Sequence, residues 1–224
     1  MVKLNYMKTL IFVIIVALVI VAIIKFIDEM KLNSLKKEVS DYSIESESTN
    51  LLFLYADTMQ HVDKDKLCKV IEFSTKRQLD KGYYFVTLLK TYEEANLLAD
   101  YEETRNRYFL SNVALWLYTT QSKTLCNNSE VTPLLFFYKT NTACPDCIVQ
   151  GQILDKIREK CPNVRVITLA SDTDLSIIKL IMSQYNVMDA PTLVIDNKDV
   201  LEGVQNETSI MKYINCDVEK NYSE

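Results

Sequence analysis

Glycine is nearly absent from this chain of 224 residues. Gly82, Gly151 and Gly203 are the only three. Glycine-rich phosphate loops are therefore missing, and with them the usual nucleotide-binding fingerprints. Histidine is scarcer still: a Ser-His-Asp or Cys-His mechanism would have to run through His61, the single histidine. No cysteine or second histidine stands near it at ligand spacing, so it reads as a surface polar residue. Basic residues are outnumbered, 25 Lys and Arg against 30 Asp and Glu, for a net charge of −5. With no basic stripe to follow a phosphate backbone, no nucleic-acid partner is expected. Proline is confined to four positions, none of them between residues 48 and 124.

What the chain does have begins with an apolar run. Leu10 to Ile24 is unbroken, and Phe26-Ile27 resumes it after Lys25. A helix through 10–27 has about 18 residues, near the lower limit for a hydrocarbon core of about 30 Å. This predicts a transmembrane anchor over 10–27 behind a short tail, 1–9, with Lys25 reaching back to the headgroups. A cleaved secretory signal is the rival reading, but no small-x-small cleavage site precedes the charged stretch. Lysines flank both ends of the run, so charge leaves the orientation open. Cysteine usage points to an inside N-terminus and an extracytoplasmic C-terminal part, in a single-pass membrane protein. Residues 28–47, rich in Ser, Glu and Lys, read as a linker or stalk.

Residues 48–126 carry apolar positions at helical spacing and predict a small all-helical unit of three or four helices. A first helix follows Ser48-Thr49-Asn50. A second, capped by Asp63 or Asp65, turns Leu67, Cys68, Val70, Ile71 and Phe73 inward and ends near Gly82. A third runs through Tyr84, Phe85, Leu88 and Leu89. Thr91 with Glu94 offers a capping box for the stretch beyond. Tyr83, Tyr84, Tyr92, Tyr101, Tyr108 and Tyr118 read as packing residues. The functional alternative is a surface for a partner or substrate chain, since tyrosine is favoured at interfaces.

From about residue 129 the pattern alternates. Val131–Tyr138 reads as a buried strand and Pro145–Lys160 as a helix with Ile148, Val149, Ile153, Leu154 and Ile157 inward. Val164–Leu169 is a second strand, Leu175–Met182 a helix capped by Asp172 or Thr173, Thr192–Asp196 a third strand, Asp199–Glu202 a fourth and Ser209–Asn215 a last helix. This order implies one sheet with helices on both faces. Between the first strand and its helix stands Cys144-Pro145-Asp146-Cys147. Proline suits the first helical turn, where its missing N–H has no partner to lose, and a carboxylate there is favoured by the helix dipole. Cys144 is thus delivered to a helix N-terminus, where a thiolate is stabilised.

Cys144-Pro145-Asp146-Cys147 after a strand, followed by Tyr185-Asn186-Val187-Met188-Asp189-Ala190-Pro191-Thr192 before another, resembles the thioredoxin family over residues 129–219. The fold class implied is an α/β thioredoxin-like domain, β-α-β-α-β-β-α, here preceded by the transmembrane helix and the small all-α unit, with 220–224 as a tail. The resemblance implies that Cys144 and Cys147 are catalytic, that Ala190–Pro191 is a cis bond facing them, and that Ala190, Pro191 and Thr192 line the groove where a substrate backbone pairs. Four positions around the pair are read as modulators. Ala143 stands where many thioredoxins have tryptophan. Tyr138 stands where cytosolic thioredoxins place a buried aspartate that assists proton transfer. Pro145 and Asp146 replace the usual intervening pair, and the charge of Asp146 should raise the nucleophile's pKa and make the couple more reducing.

The implied activity is that of a membrane-anchored protein thiol-disulfide oxidoreductase of open redox direction. Its substrates would be protein thiols and disulfides, with a redox partner recycling the pair. No cofactor beyond the Cys144–Cys147 disulfide is expected, and no metal, since no second ligand pair has matching spacing. The alternative is a non-catalytic thioredoxin-like binding or assembly module whose helical unit docks a partner. In a thioredoxin-like sheet the helices ending at Cys161 and Cys216 share a face, which predicts a Cys161–Cys216 disulfide. The remaining pair, Cys68 and Cys126, would tie the helical unit to the sheet domain. Asn127, Asn206 and Asn221 begin N-glycosylation patterns, weak support for export.

Overall fold

The structure is a computed structural model in which residues 12–26, 63–126, 131–140 and 144–216 are described. The expected tail 1–9, the linker 28–47, the first helix after Asn50, His61, Ala143 and the tail 220–224 lie outside those residues. The chain divides into two compact units, Met1–Tyr55 and Ala56–Glu224.

In the first unit, residues 12–26 form a helix, α1, with exposed apolar side chains such as Phe12 and Leu18. Among the described residues no helix is long and apolar enough to cross a membrane. The expectation of a transmembrane anchor over 10–27 is corrected accordingly. The described helix stops short of the roughly 20 residues that a span requires, and Leu10, Ile11 and Ile27 lie outside the described residues. Among the described residues, the structure holds an α/β region with a mixed sheet, preceded by helices without a membrane span.

The described part of the second unit opens with two long helices, α2 (Lys64–Glu94) and α3 (Leu98–Leu125). Asp63 caps α2 by accepting from the Lys66 N–H. The break expected at Gly82 does not occur: glycine weakens a helix by only about 1 kcal/mol, and packing along α3 outweighs it. The capping box at Thr91 and Glu94 is not used either. The Thr91 hydroxyl donates to the Thr87 carbonyl inside α2. The turn comes instead at Asn96, whose φ of 55° suits asparagine, and the Leu97 N–H closes it on the Tyr92 carbonyl at 2.9 Å.

The sheet follows as β1 (Thr132–Tyr138), β2 (Val164–Ala170), β3 (Thr192–Ile195) and β4 (Asp199–Glu202), with α4 (Pro145–Lys160), α5 (Ser176–Gln184) and α6 (Glu207–Met211) between and after them. The strand order is β2-β1-β3-β4. β1 pairs parallel with β2 and antiparallel with β3, and β3 pairs antiparallel with β4. From β1 onward the element order is the β-α-β-α-β-β-α expected from the sequence, and the sheet is mixed.

β1 is buried on both faces, which explains its unbroken apolar sequence. Alternate residues serve two cores. Leu135 and Phe137 pack with Phe109, Val113 and Trp116 of α3 and with Ile178 and Ile181 of α5. Leu134 and Phe136 pack with Leu154 and Ile157 of α4 and with Ile210 and Ile214 at the C-terminal end. The helical hairpin therefore shares its core with the sheet through α3. Polar bonds fix the docking: Asn112 donates to the Thr168 carbonyl at 2.9 Å, and the Trp116 Nε1–H to Asn197 Oδ1 at 2.6 Å.

Three disulfides are present and no cysteine is free. Cys161–Cys216 joins the end of α4 to the chain beyond α6. Cys68–Cys126 joins α2 to the C-cap of α3, so it closes the base of the hairpin and does not reach the sheet.

Candidate functional site

β1 ends at Tyr138, and two anchors position the chain that leaves it. Thr140 donates its N–H to Asp172 Oδ2 at 2.9 Å and its hydroxyl to Asp172 Oδ1 at 2.9 Å. Asp172 is thus spent on this loop and does not cap α5, whose N-cap, Leu175, has no side-chain bond. On the other side Lys139 Nζ meets Asp189 Oδ1 at 2.6 Å. The same carboxylate oxygen accepts the Ala190 N–H at 2.8 Å. One ion pair therefore links the approach to Cys144 with the approach to Pro191.

Cys144 is the N-cap of α4 and Pro145 opens the helix, with Asp146 in its first turn. Cys144 and Cys147 are joined as a disulfide whose Cα atoms lie 5.2 Å apart. The Cys147 N–H donates to Cys144 Sγ at 3.2 Å, and the Ile148 N–H to the Cys144 carbonyl at 3.2 Å. Cys147 is buried at 6 % exposure, whereas Cys144 is half-buried. The more accessible sulfur is thus the one at the helix start, where free N–H groups favour a negative charge.

The Ala190–Pro191 bond is cis. Ala190, Cys144 and Cys147 belong to one apolar cluster. Pro191 is buried at the head of β3, and its carbonyl accepts the Gly203 N–H at 2.8 Å. Thr192 is buried too, its hydroxyl donating to the Asp189 carbonyl at 2.7 Å. Of the residues expected at the site, the structure brings together Tyr138, Cys144, Cys147 and Ala190 in one cluster.

Tyr138 stacks on Phe136 with ring centroids 5.6 Å apart and meets Phe109 edge-on at 6.3 Å. Burial above all, and then the neighbouring Tyr108 and Tyr101, hold its phenol well above the usual tyrosine range. Tyr138 stays neutral at physiological pH. It can donate a hydrogen bond, but it cannot act as the base that a carboxylate would be.

A cavity of about 520 Å³ opens beside the disulfide. Cys144, Cys147, Tyr138 and Ile148 line one side of it, and Tyr101, Arg105 and Tyr108 of the hairpin line the other. Tyr101 and Tyr108 were legible only as members of an aromatic set, and Arg105 carried no local signal. Ile148 and Val149, expected inward, are 65 % and 45 % exposed. The buried phase of α4 is Cys147, Gln150, Leu154 and Ile157, a spacing of three and four that counting from Cys147 would have found. Gln150 is fully buried and its Oε1 accepts the Gln205 N–H at 2.6 Å.

No family model and no curated protein sequence matches the chain. Among solved structures, chloroplastic thioredoxin z is similar over 41% of this chain and 82% of its own, at 21% identity and a TM-score of 0.31. The oxidised thioredoxin from Plasmodium falciparum is similar over 42% of this chain and 88% of its own, at 17% identity and a TM-score of 0.30.

Proposed function

We propose that the protein is a thiol-disulfide oxidoreductase in which Cys144 exchanges with protein substrates and Cys147 resolves. The observation that carries this reading is the bond from the Cys147 N–H to Cys144 Sγ at the start of α4. The same donor would stabilise a thiolate at Cys144 once the bridge is opened. In the oxidising direction, a substrate thiolate attacks Cys144 Sγ, the Cys144–Cys147 bond breaks, and Cys147 leaves as a thiolate and takes up a proton. The second substrate thiolate then attacks the substrate sulfur of the mixed disulfide and releases Cys144. The substrate is left with a disulfide and the protein with two thiols, two electrons having passed between them. The reductive direction is the same sequence reversed, and a second redox protein returns the pair to its starting state.

Ala190, Pro191 and Thr192 would pair with the substrate backbone. Asp146 and Pro145 would tune the couple, Asp146 toward the reducing side. Two further bridges, one of them with Cys161 fully buried, support an oxidising compartment as the place of work.

Insulin reduction and the oxidation of a reduced test protein, each with Cys144→Ser as control, test the reading. Activity in one direction, lost in the variant, is the expected result. Absence of both activities would overturn it in favour of a binding module.

A further inference from the structure

The cavity beside Cys144 draws its walls from two distant parts of the chain. The sheet and α4 supply Tyr138, Lys139 and Cys144, and the hairpin supplies Tyr101, Arg105 and Tyr108. Although the chain carries a net charge of −5, no carboxylate is among the described lining residues, and both charged ones are cations. Lys139 is engaged by Asp189. Arg105 gives Nη2 to Glu102, while its buried Nε–H has no hydrogen-bond partner among the described residues. Its side chain is only 15% exposed and sits over the Tyr101 ring at 5.9 Å. A guanidinium offers its donors as a planar fork shaped for two-point contact with a carboxylate, and here part of that fork is unused. Partial desolvation makes such a contact stronger than it would be in water.

We propose that this groove selects substrate cysteines flanked by an acidic residue, with Arg105 as the specificity residue. This rests on the exchange reading of Cys144. A peptide bound with its sulfur at Cys144 runs its neighbouring side chains into the same cavity. A carboxylate there meets Arg105, and the carbon stem lies against the tyrosine rings. The phenol of Tyr138 stays protonated, so no phenolate competes for the guanidinium.

The test uses the full oxidised chain and two dithiol peptides identical except for Glu or Lys beside the reacting cysteine. At low ionic strength the Glu peptide is favoured by about tenfold in kcat/KM, as one charge-assisted hydrogen bond allows. The preference shrinks as salt is added, which requires no variant. Arg105→Gln removes the preference, and Arg105→Lys restores part of it. Equal rates for the two peptides on the wild-type chain, or an unchanged ratio in Arg105→Gln, overturn the proposal. Binding of the same peptides with their thiols S-methylated separates groove from chemistry. Tighter binding of the Glu peptide without any exchange would sink the oxidoreductase reading and leave the groove standing. Exchange with equal binding would sink the groove alone.

Discussion

Lys139 and Asp189 form an ion pair at 2.6 Å between the segment that leads to Cys144 and the segment that leads to Pro191. The bond to Lys139, and then the Ala190 N–H, hold the Asp189 carboxyl below the usual aspartate range. A carboxyl whose folded pKa is depressed contributes above its unfolded pKa and loses that contribution as pH falls through the folded value. Asp189 should therefore titrate lower than an ordinary aspartate in a carboxyl NMR titration, and Lys139→Ala should move the midpoint upward. A midpoint that does not respond to Lys139→Ala would show that the pair does not hold in solution.

On the proposed exchange reading, the asymmetry of the Cys144–Cys147 bridge predicts which variant would trap a substrate. With Cys147→Ser, a mixed disulfide formed at Cys144 has no internal thiol to resolve it and should accumulate as an adduct on non-reducing gels. Cys144→Ser should accumulate far less, because Cys147 is buried at 6 % exposure. Equal trapping by both variants would contradict the assignment of the attacking sulfur.

The three bridges should also differ in resistance to reduction. Cys161 is fully buried, and its bridge and the Cys68–Cys126 bridge span 55 and 58 residues. Chain-entropy arguments give such loops about 4 kcal/mol of stabilisation at most. The Cys144–Cys147 bridge spans three residues and constrains little. Mild dithiothreitol under native conditions, followed by alkylation and mass spectrometry, should label Cys144 and Cys147 first. Replacing Cys161 and Cys216 by serine should cost about 2–4 kcal/mol in urea unfolding. Simultaneous opening of all three bridges would be the contrary result.

Gly82 lies within α2, and a Cβ added there would meet nothing within 4 Å. Gly82→Ala should raise stability by about 0.5–1 kcal/mol. Thermal unfolding would show this as an increase of about 1–4 °C for a chain of this size. No increase would mean that α2 is not continuous at this point in solution.

The β3–β4 turn is clamped by α3. Asp196 and Asn197 have φ of 54° and 59°, the backbone of a type I′ turn. Asn197 accepts from Trp116 and donates to Thr120, and Lys123 pairs with Asp196. Asn197→Gly keeps the backbone free and loses only the two hydrogen bonds, at about 1–2 kcal/mol. Asn197→Ala adds left-handed strain of about 1 kcal/mol more. Equal stability of the two variants would indicate that the turn relaxes.

The sequence by itself determined what depends on neighbours along the chain. The unbroken apolar run of β1, proline at the first turn of α4, and cysteines three residues apart at its start are local facts. Strand, helix and the place of Cys144 at a helix N-terminus follow from hydrogen-bond geometry over a few residues. The element order from Thr132 onward, and the proline before β3, were legible for the same reason.

What only the tertiary structure decided depends on where α3 lies. Breaks read at Gly82 and Thr91 vanish because burial along α2 and α3 outweighs about 1 kcal/mol of local preference. Asp172 leaves the cap of α5 for Thr140 because the loop after β1 brings backbone and hydroxyl donors to it. The span read from the apolar run at 10–27 is not realised among the described helices, of which the one in that run covers residues 12–26. Arg105 and Cys144 are far apart in the chain, and no spacing rule links them. They share a cavity because Phe109, Val113 and Trp116 of α3 are buried against the same sheet whose first strand ends beside Cys144.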